Sequence, residues 1–283
     1  MSADCFKAVD FFFKLFGIWM DNSSRYKMVA YIVWDSFVFF LGCGFAALEA
    51  MMIRTSIKDL RLFFKVFGMF AGHQLALMKF VVMVKNYGKL SNLKTKLRSR
   101  CFRYDPFDLF DPEKMMSESA RFCARFATFM FTAYGMVGVT AHVSALWRLD
   151  TEQHGKYFEG NSSCDDFIPY VFVNPFDDGS IRGCKNALLM MDICFYILST
   201  YMAGYDAIFC CLIVCLDTQL QILSIATKNV RERLLTGSGL SEEYRMSHDN
   251  VSPDFEKRLY MEIRKCNRHL SFLLRYIFIF DAN

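Results

Sequence analysis

Charged side chains are sparse in the long apolar stretches of this chain, and Lys79 and Asp206 sit deepest in theirs. A charge at mid-bilayer costs roughly 3 kcal/mol on insertion scales, so it needs a partner or a water-filled cavity. Either these two pair across helices, or Lys79 snorkels to the interface while Asp206 binds neighbouring hydroxyls and amides. Asp35, Glu49, Lys65 and Asp192 lie nearer the ends of their stretches, where solvation is expected.

The other chemistry on offer is recognition of a small, largely apolar molecule. Phe70, His73, Gln74 and Leu77 share one helical face, as do Tyr134, Gly138, Ala141, His142 and Ala145. Small residues in the second set leave room beside Tyr134 and His142. Met191 and Phe195 lie one turn apart on a third stretch. An aromatic and aliphatic cavity with few hydrogen-bonding groups suits a volatile compound carrying one or two polar atoms. Packing against lipid or a neighbouring helix uses the same residue types.

Catalytic signatures are missing. There is no His-Glu-x-x-His, paired Cys-x-x-Cys, phosphate-binding glycine loop or nucleophile elbow. The histidines lack clustered partners for a metal. No enzyme activity, metal or cofactor is expected.

The elements that must carry these residues are membrane helices. Residues 126–147 run for 22 positions without Asp, Glu, Lys or Arg, and a span needs roughly 20 apolar residues. With 54% hydrophobic residues, 31 Phe and a mean hydropathy of +0.20, lipid must solvate much of the chain. Four spans are expected at 28–53, 62–84, 122–147 and 186–215, and all five prolines fall outside them. The fold expected is all-α, a polytopic helix bundle in a single transmembrane domain.

Orientation follows from the basic residues, because short cytoplasmic segments carry the Lys and Arg excess. Segments 1–27, 85–121 and 216–269 together hold 22, whereas the loop at 54–61 and the loop 148–185 hold 7. The N-terminus is therefore expected in the cytoplasm, opposite to a G-protein-coupled receptor. Residues 1–16 lack a cleavable signal peptide, so the first span acts as its own insertion signal. The run 11–19 reads as a short amphipathic helix on the inner membrane surface, with Lys14 available to lipid phosphates.

Only Cys164 and Cys184, of eleven cysteines, fall in the exterior loop. They are placed either to bridge in an oxidising compartment or to remain free thiols. Asn161-Ser162-Ser163, in the same loop, is a glycosylation acceptor pattern. Gly68 and Gly72 let another backbone approach, with packing inside the bundle expected before dimerisation. The cluster Lys94, Lys96, Arg98, Arg100 and Arg103 can face anionic membrane lipid, and it lacks the aromatic interleaving suited to nucleic acid. A fifth apolar run, 270–280, contains Arg275 and is too short to cross a bilayer, so the chain reads as part of a longer protein or a truncated product.

Several local motifs, in order along nearly the whole chain, resemble the insect odorant receptors. Leu15-Phe16-Gly17-Ile18-Trp19 is similar to that family's Gly-Ile-Trp-Pro motif, with Met20 in place of proline. Ile168-Pro169-Tyr170 followed by Asn174-Pro175-Phe176-Asp177 resembles its exterior loop between the third and fourth helices. Asp206 followed by Leu220-Gln221-Ile222-Leu223 resembles its fourth helix and continuation. Lys265-Cys266-Asn267-Arg268-His269 resembles the opening of its fifth helix, with Leu270 in place of the usual Gln.

The resemblance implies an odorant receptor subunit at the plasma membrane of olfactory sensory neurons. Such a subunit binds small volatile ligands and joins a shared co-receptor subunit in a tetrameric, odour-gated, nonselective cation channel. The seventh helix lines the pore in that family, and this chain as written lacks it, so it is not expected to conduct. Alternatives are a gustatory-type chemoreceptor, or a non-conducting membrane scaffold that traffics or inhibits full-length receptors.

Overall fold

The computed structural model describes residues 4–15, 25–98, 102, 104–108, 110–154, 164, 168–176, 180–237 and 253–281. Asn161, residues 16–19 of the first resembling motif, Asp177, Arg100 and Arg103 lie outside them. The described helices are α1 (Lys7–Leu15), α2 (Arg25–Ser56), α3 (Leu60–Lys85), α4 (Tyr87–Arg98), α5 (Pro112–His154), α6 (Ile181–Lys228), α7 (Val230–Gly237) and α8 (Pro253–Asp281).

The protein is a helical membrane bundle. Helices α2, α3, α5 and α6 are each long and apolar enough to cross a bilayer. Only 28%, 33%, 17% and 39% of their apolar windows are buried by protein, which leaves hydrocarbon as the medium for the outward faces. Phe37, Phe40, Phe64, Met78, Phe129 and Val137 are among the large side chains so exposed. Sequence polarity understates two helices: α5 has 43 residues and α6 has 48, about 65 and 70 Å at 1.5 Å per residue, so each continues well past the hydrocarbon. The expected spans are the apolar middles of longer rods.

Helix ends follow local chemistry. Asp59 caps α3, its carboxylate accepting from the backbone N–H groups of Arg61 and Leu62 at 3.0 and 3.2 Å. Asp111 does the same for α5 through Glu113 and Lys114, each at 3.0 Å. Pro112 and Pro253 occupy the first position of α5 and α8, where a missing N–H leaves no bond unmade.

The chain forms two compact units. One comprises residues 8–86 and 126–208: α1 from Ala8, α2, α3 and the adjoining parts of α5 and α6. Only three residues separate α2 from α3, so they run antiparallel and pack along their length. Phe39, Phe80 and Tyr201 stack as a ladder from α2 through α3 to α6, with centroids 5.7 and 4.2 Å apart. At Gly42 a Cβ would sit 3.1 Å from Leu77 and 3.3 Å from Leu198, so these three helices meet where α2 has no side chain.

Helix α1 corrects its reading as a helix lying on the membrane surface. Phe13 is fully buried and Phe12 stacks on Phe131 of α5 at 4.3 Å, so the apolar face packs into this unit while Lys14 stays exposed. Phe13 fills the notch at Gly204 of α6, where an added Cβ would lie 2.5 Å from its ring. Gly204→Leu is expected to expel Phe13 and cost about 1–3 kcal/mol by overpacking. Unfolding in detergent micelles measures this, and Gly204→Leu combined with Phe13→Ala should cost less than the sum of the two single changes.

Gly68 and Gly72 face away from the other described helices. Nothing lies within 4 Å of a Cβ built at either, so the expected intrabundle packing at this pair is absent among the described residues.

The second unit comprises residues 1–7, 87–125 and 209–283. Helices α5 and α6 are joined there by a 2.6 Å hydrogen bond between Ser119 and Thr218. Helices α7 and α8 pack on each other, with Arg233 reaching Glu262 at 3.3 Å. Tyr104 is the hub: its hydroxyl meets Nδ1 of His269 at 3.1 Å, and Arg233 and Lys265 lie 5.3 and 4.9 Å from its ring centre. Lys94 was expected on a lipid-facing cluster, but it is 2% exposed and lies 5.7 Å over the ring of Phe6. Its stem is long enough to bury on an apolar surface and end on an aromatic face. Residues 270–280, expected to start a fifth span, belong to the single helix α8, which already buries Cys266, His269 and Leu273 in this unit.

Candidate functional site

Three carboxyl groups expected in solvent are buried in the first unit, and two of them hold histidines. Glu49 of α2 receives His73 of α3, whose Nδ1 lies 2.8 and 2.9 Å from its two carboxylate oxygens. Asp192 of α6 is paired with His142 of α5. Asp35 is 6% exposed, and neither its oxygens nor the Tyr201 hydroxyl has a hydrogen-bond partner among the described residues. The reason is angular: each carboxyl points into the bundle, so nearness to a helix end does not bring water to it.

The two pairs differ in access. Side-chain exposure is 7% and 2% for His73 and Glu49, so this pair is closed and ties α2 to α3. It is 36% and 11% for His142 and Asp192, which leaves the imidazole reachable.

Cys164 and residues 168–176 cover the same end of the unit. Cys164 and Cys184 are disulfide-bonded, with Cα atoms 5.3 Å apart, which holds this segment to the first turn of α6. Val173 donates its N–H to the Leu48 carbonyl at 3.4 Å. Phe172 packs on Phe45, which in turn meets the His73 ring edge-on, with centroids 5.2 and 5.6 Å apart. Tyr170 stacks on Phe195 at 6.0 Å. Burial, reinforced by the Asp192 charge, raises the Tyr170 phenol above its usual range, so it remains a hydrogen-bond donor.

The faces picked from sequence are largely used for helix packing. Gly138 leaves no room, because a Cβ there would lie 2.9 Å from Phe195 and 3.1 Å from Tyr196. Met191 and Ala145 are each 1% exposed. Tyr134, Phe70 and Gln74 are half-buried, and none makes a side-chain hydrogen bond or ring contact with another described residue. Lys79 and Asp206 do meet: Nζ lies 2.6 Å from the carboxylate and 5.5 Å over the Tyr205 ring. That arrangement fixes α3 to α6.

Open space lies on the opposite face of α6. A cleft of about 320 Å³ is lined by Leu41 of α2, Phe176, and Asn186, Leu189, Met190 and Ile193 of α6. Its described lining is apolar apart from the Asn186 amide and the Cys194 thiol, and its volume is at the small end of ligand cavities. Asn186, Leu189, Met190 and Ile193 follow the spacing of one helical face, a signal present in the sequence but masked by apolar residues all round α6.

Among the described residues no group of three or more His, Cys, Asp or Glu is arranged to hold a metal ion. The chain matches no known protein-family model and no curated protein.

Proposed function

We propose that the chain is a chemoreceptor subunit of the insect odorant receptor kind, whose cleft between α2 and α6 takes a small volatile molecule. The observation that carries this reading is the cleft itself: about 320 Å³, apolar, with a single amide to orient a polar atom. The ordered motifs from Leu15 to His269 support the family. In this reading the subunit sits in the plasma membrane of olfactory sensory neurons with its N-terminus in the cytoplasm. It pairs with a co-receptor subunit to gate cation flow.

Binding is tested with the purified full chain in detergent micelles, using a fluorescent aromatic probe displaced by short-chain alcohols, esters and amines. Ile193→Trp fills the cleft and should weaken displacement by about tenfold or more. His142→Ala, outside the described cleft lining, should change it by about twofold at most. Absence of saturable binding, or binding indifferent to Ile193→Trp at unchanged melting temperature, refutes the proposal.

A further inference from the structure

In the unit formed by residues 1–7, 87–125 and 209–283, α8 carries a stripe that the proposed receptor role does not use. Arg264, Arg268, Ser271 and Arg275 follow one another at intervals of four, three and four residues, so they share one face. With Lys96 of α4 and Phe272 they line a groove of about 400 Å³. Among the described residues no carboxylate lines it, and none pairs with Arg264, Arg268 or Arg275. All three arginines are exposed.

The rest of α8 indicates what surrounds the groove. Its inner face, with Cys266, His269 and Leu273, is buried in the unit. On the far side of the arginine stripe Ile263, Leu270 and Leu274 are 44%, 41% and 40% exposed. A helix with a buried face, a cationic face and an uncovered aliphatic flank has the pattern of one lying in the headgroup layer. The same unit contains the ends of α5 and α6, both spanning helices.

We infer that this groove binds the headgroup of an anionic phospholipid carrying more than one phosphate charge. Three arginines around one space, none paired with a described carboxylate, match a phosphomonoester-bearing headgroup, because a singly charged phosphodiester would leave most of that charge uncompensated. The arginine forks present paired N–H donors to phosphate oxygens, the Ser271 hydroxyl and Asn267 amide add neutral donors, and Phe272 walls the groove on the side away from the aliphatic flank. The aliphatic flank receives the acyl chains, which distinguishes a lipid from free phosphate.

The test uses the purified full chain in neutral detergent and dioctanoyl lipids: phosphatidylcholine, phosphatidylserine and phosphatidylinositol bisphosphate, with free inositol trisphosphate beside them. The bisphosphate lipid should bind most tightly and the choline lipid not measurably. The triple variant R264Q/R268Q/R275Q should bind it about 100-fold more weakly, at about fivefold per cation. A control removing equal charge from exposed positions of the same unit, K114Q/R121Q/R231Q, should stay within about twofold. R264K/R268K/R275K, which keeps the charge, should retain more affinity than the glutamine triple and guards against loss through misfolding.

Equal losses in the groove and control variants would reduce the effect to bulk charge and overturn the inference. So would serine lipid binding as tightly as the bisphosphate lipid, or a glutamine triple that binds normally. Inositol trisphosphate binding as tightly as the lipid would overturn the lipid assignment in favour of a soluble phosphate.

Discussion

His73→Ala should lower the stability of the folded bundle by about 3 kcal/mol, whereas replacing His73 and Glu49 together by leucine should cost about 1 kcal/mol or less. The asymmetry comes from burial. Glu49 is 1% exposed and its carboxylate is met by His73 at 2.8 and 2.9 Å. Removing the histidine leaves an acid in a low-dielectric interior without the side-chain hydrogen bond it has among the described residues. An ordinary interhelical hydrogen bond in a membrane is worth roughly 0.6 kcal/mol, so a loss of that size would mean that Glu49 finds water or another partner. The leucine pair removes both polar groups and returns apolar volume between α2 and α3. A double-mutant cycle by reversible unfolding in micelles measures the coupling. Single and double variants losing the same stability would contradict the account.

Acidification should weaken the unit around Tyr104. His269 is 1% exposed, stacked on Phe102 at 4.5 Å and hydrogen-bonded through Nδ1 to the Tyr104 hydroxyl. Burial lowers its pKa to about 4 from an ordinary value of 6.5. Burial also raises Tyr104 well above the usual phenol range, so the phenol keeps its proton and donates it to a neutral imidazole. Protonated His269 has no lone pair on Nδ1 to accept that bond, and Arg233 and Lys265 already lie over the Tyr104 ring.

The sign follows from the lowered folded value. Above pH 6.5 the imidazole is neutral in both states and the contribution is complete. As pH falls towards 4 the unfolded chain takes up a proton that the folded chain refuses, and stability on the order of 3 kcal/mol is lost. Below pH 4 no more is lost from this group. His269→Phe keeps the ring stack and cannot titrate. The difference in unfolding free energy between wild type and variant, followed from pH 7.5 to 4, isolates His269 from every other acid and base. A difference that stays flat over that range would refute the buried neutral histidine.

Much of the architecture is legible in the sequence because membrane helices need long uncharged runs, and 126–147 has no alternative use. Cys164 and Cys184 stand out as the only cysteines in one loop, and the structure bonds them. What the sequence conceals is angle. Glu49 and His73 are 24 residues apart, and His142 and Asp192 are 50 apart, so depth along each helix is readable while the partner across the interface is not. Burial of Glu49 and Asp192 follows from that hidden angle. In α6 apolar residues encircle the helix, so period alone offered Met191 and Phe195 as readily as Leu189 and Ile193. Gly138 reads as room beside Tyr134 and His142, but in three dimensions it is the seat of Phe195, as Gly42 and Gly204 are of Leu77 and Phe13.

Charge is hidden in the same way. Five basic residues crowded into 94–103 attract attention, yet Lys94 is buried while Lys96 lines the groove. The arginines that build it are spread over twelve residues of α8 and become neighbours only through helical periodicity.

Orientation is the premise of the receptor reading, and glycan-acceptor mapping tests it directly. With the native acceptors Asn22, Asn161 and Asn250 replaced by Gln, one acceptor tag is placed ahead of Met1 and, in a separate protein, within residues 155–163. The receptor reading predicts sugar on the 155–163 tag and none on the N-terminal tag. Sugar on the N-terminal tag and none at 155–163 would reverse the bundle in the membrane and contradict it.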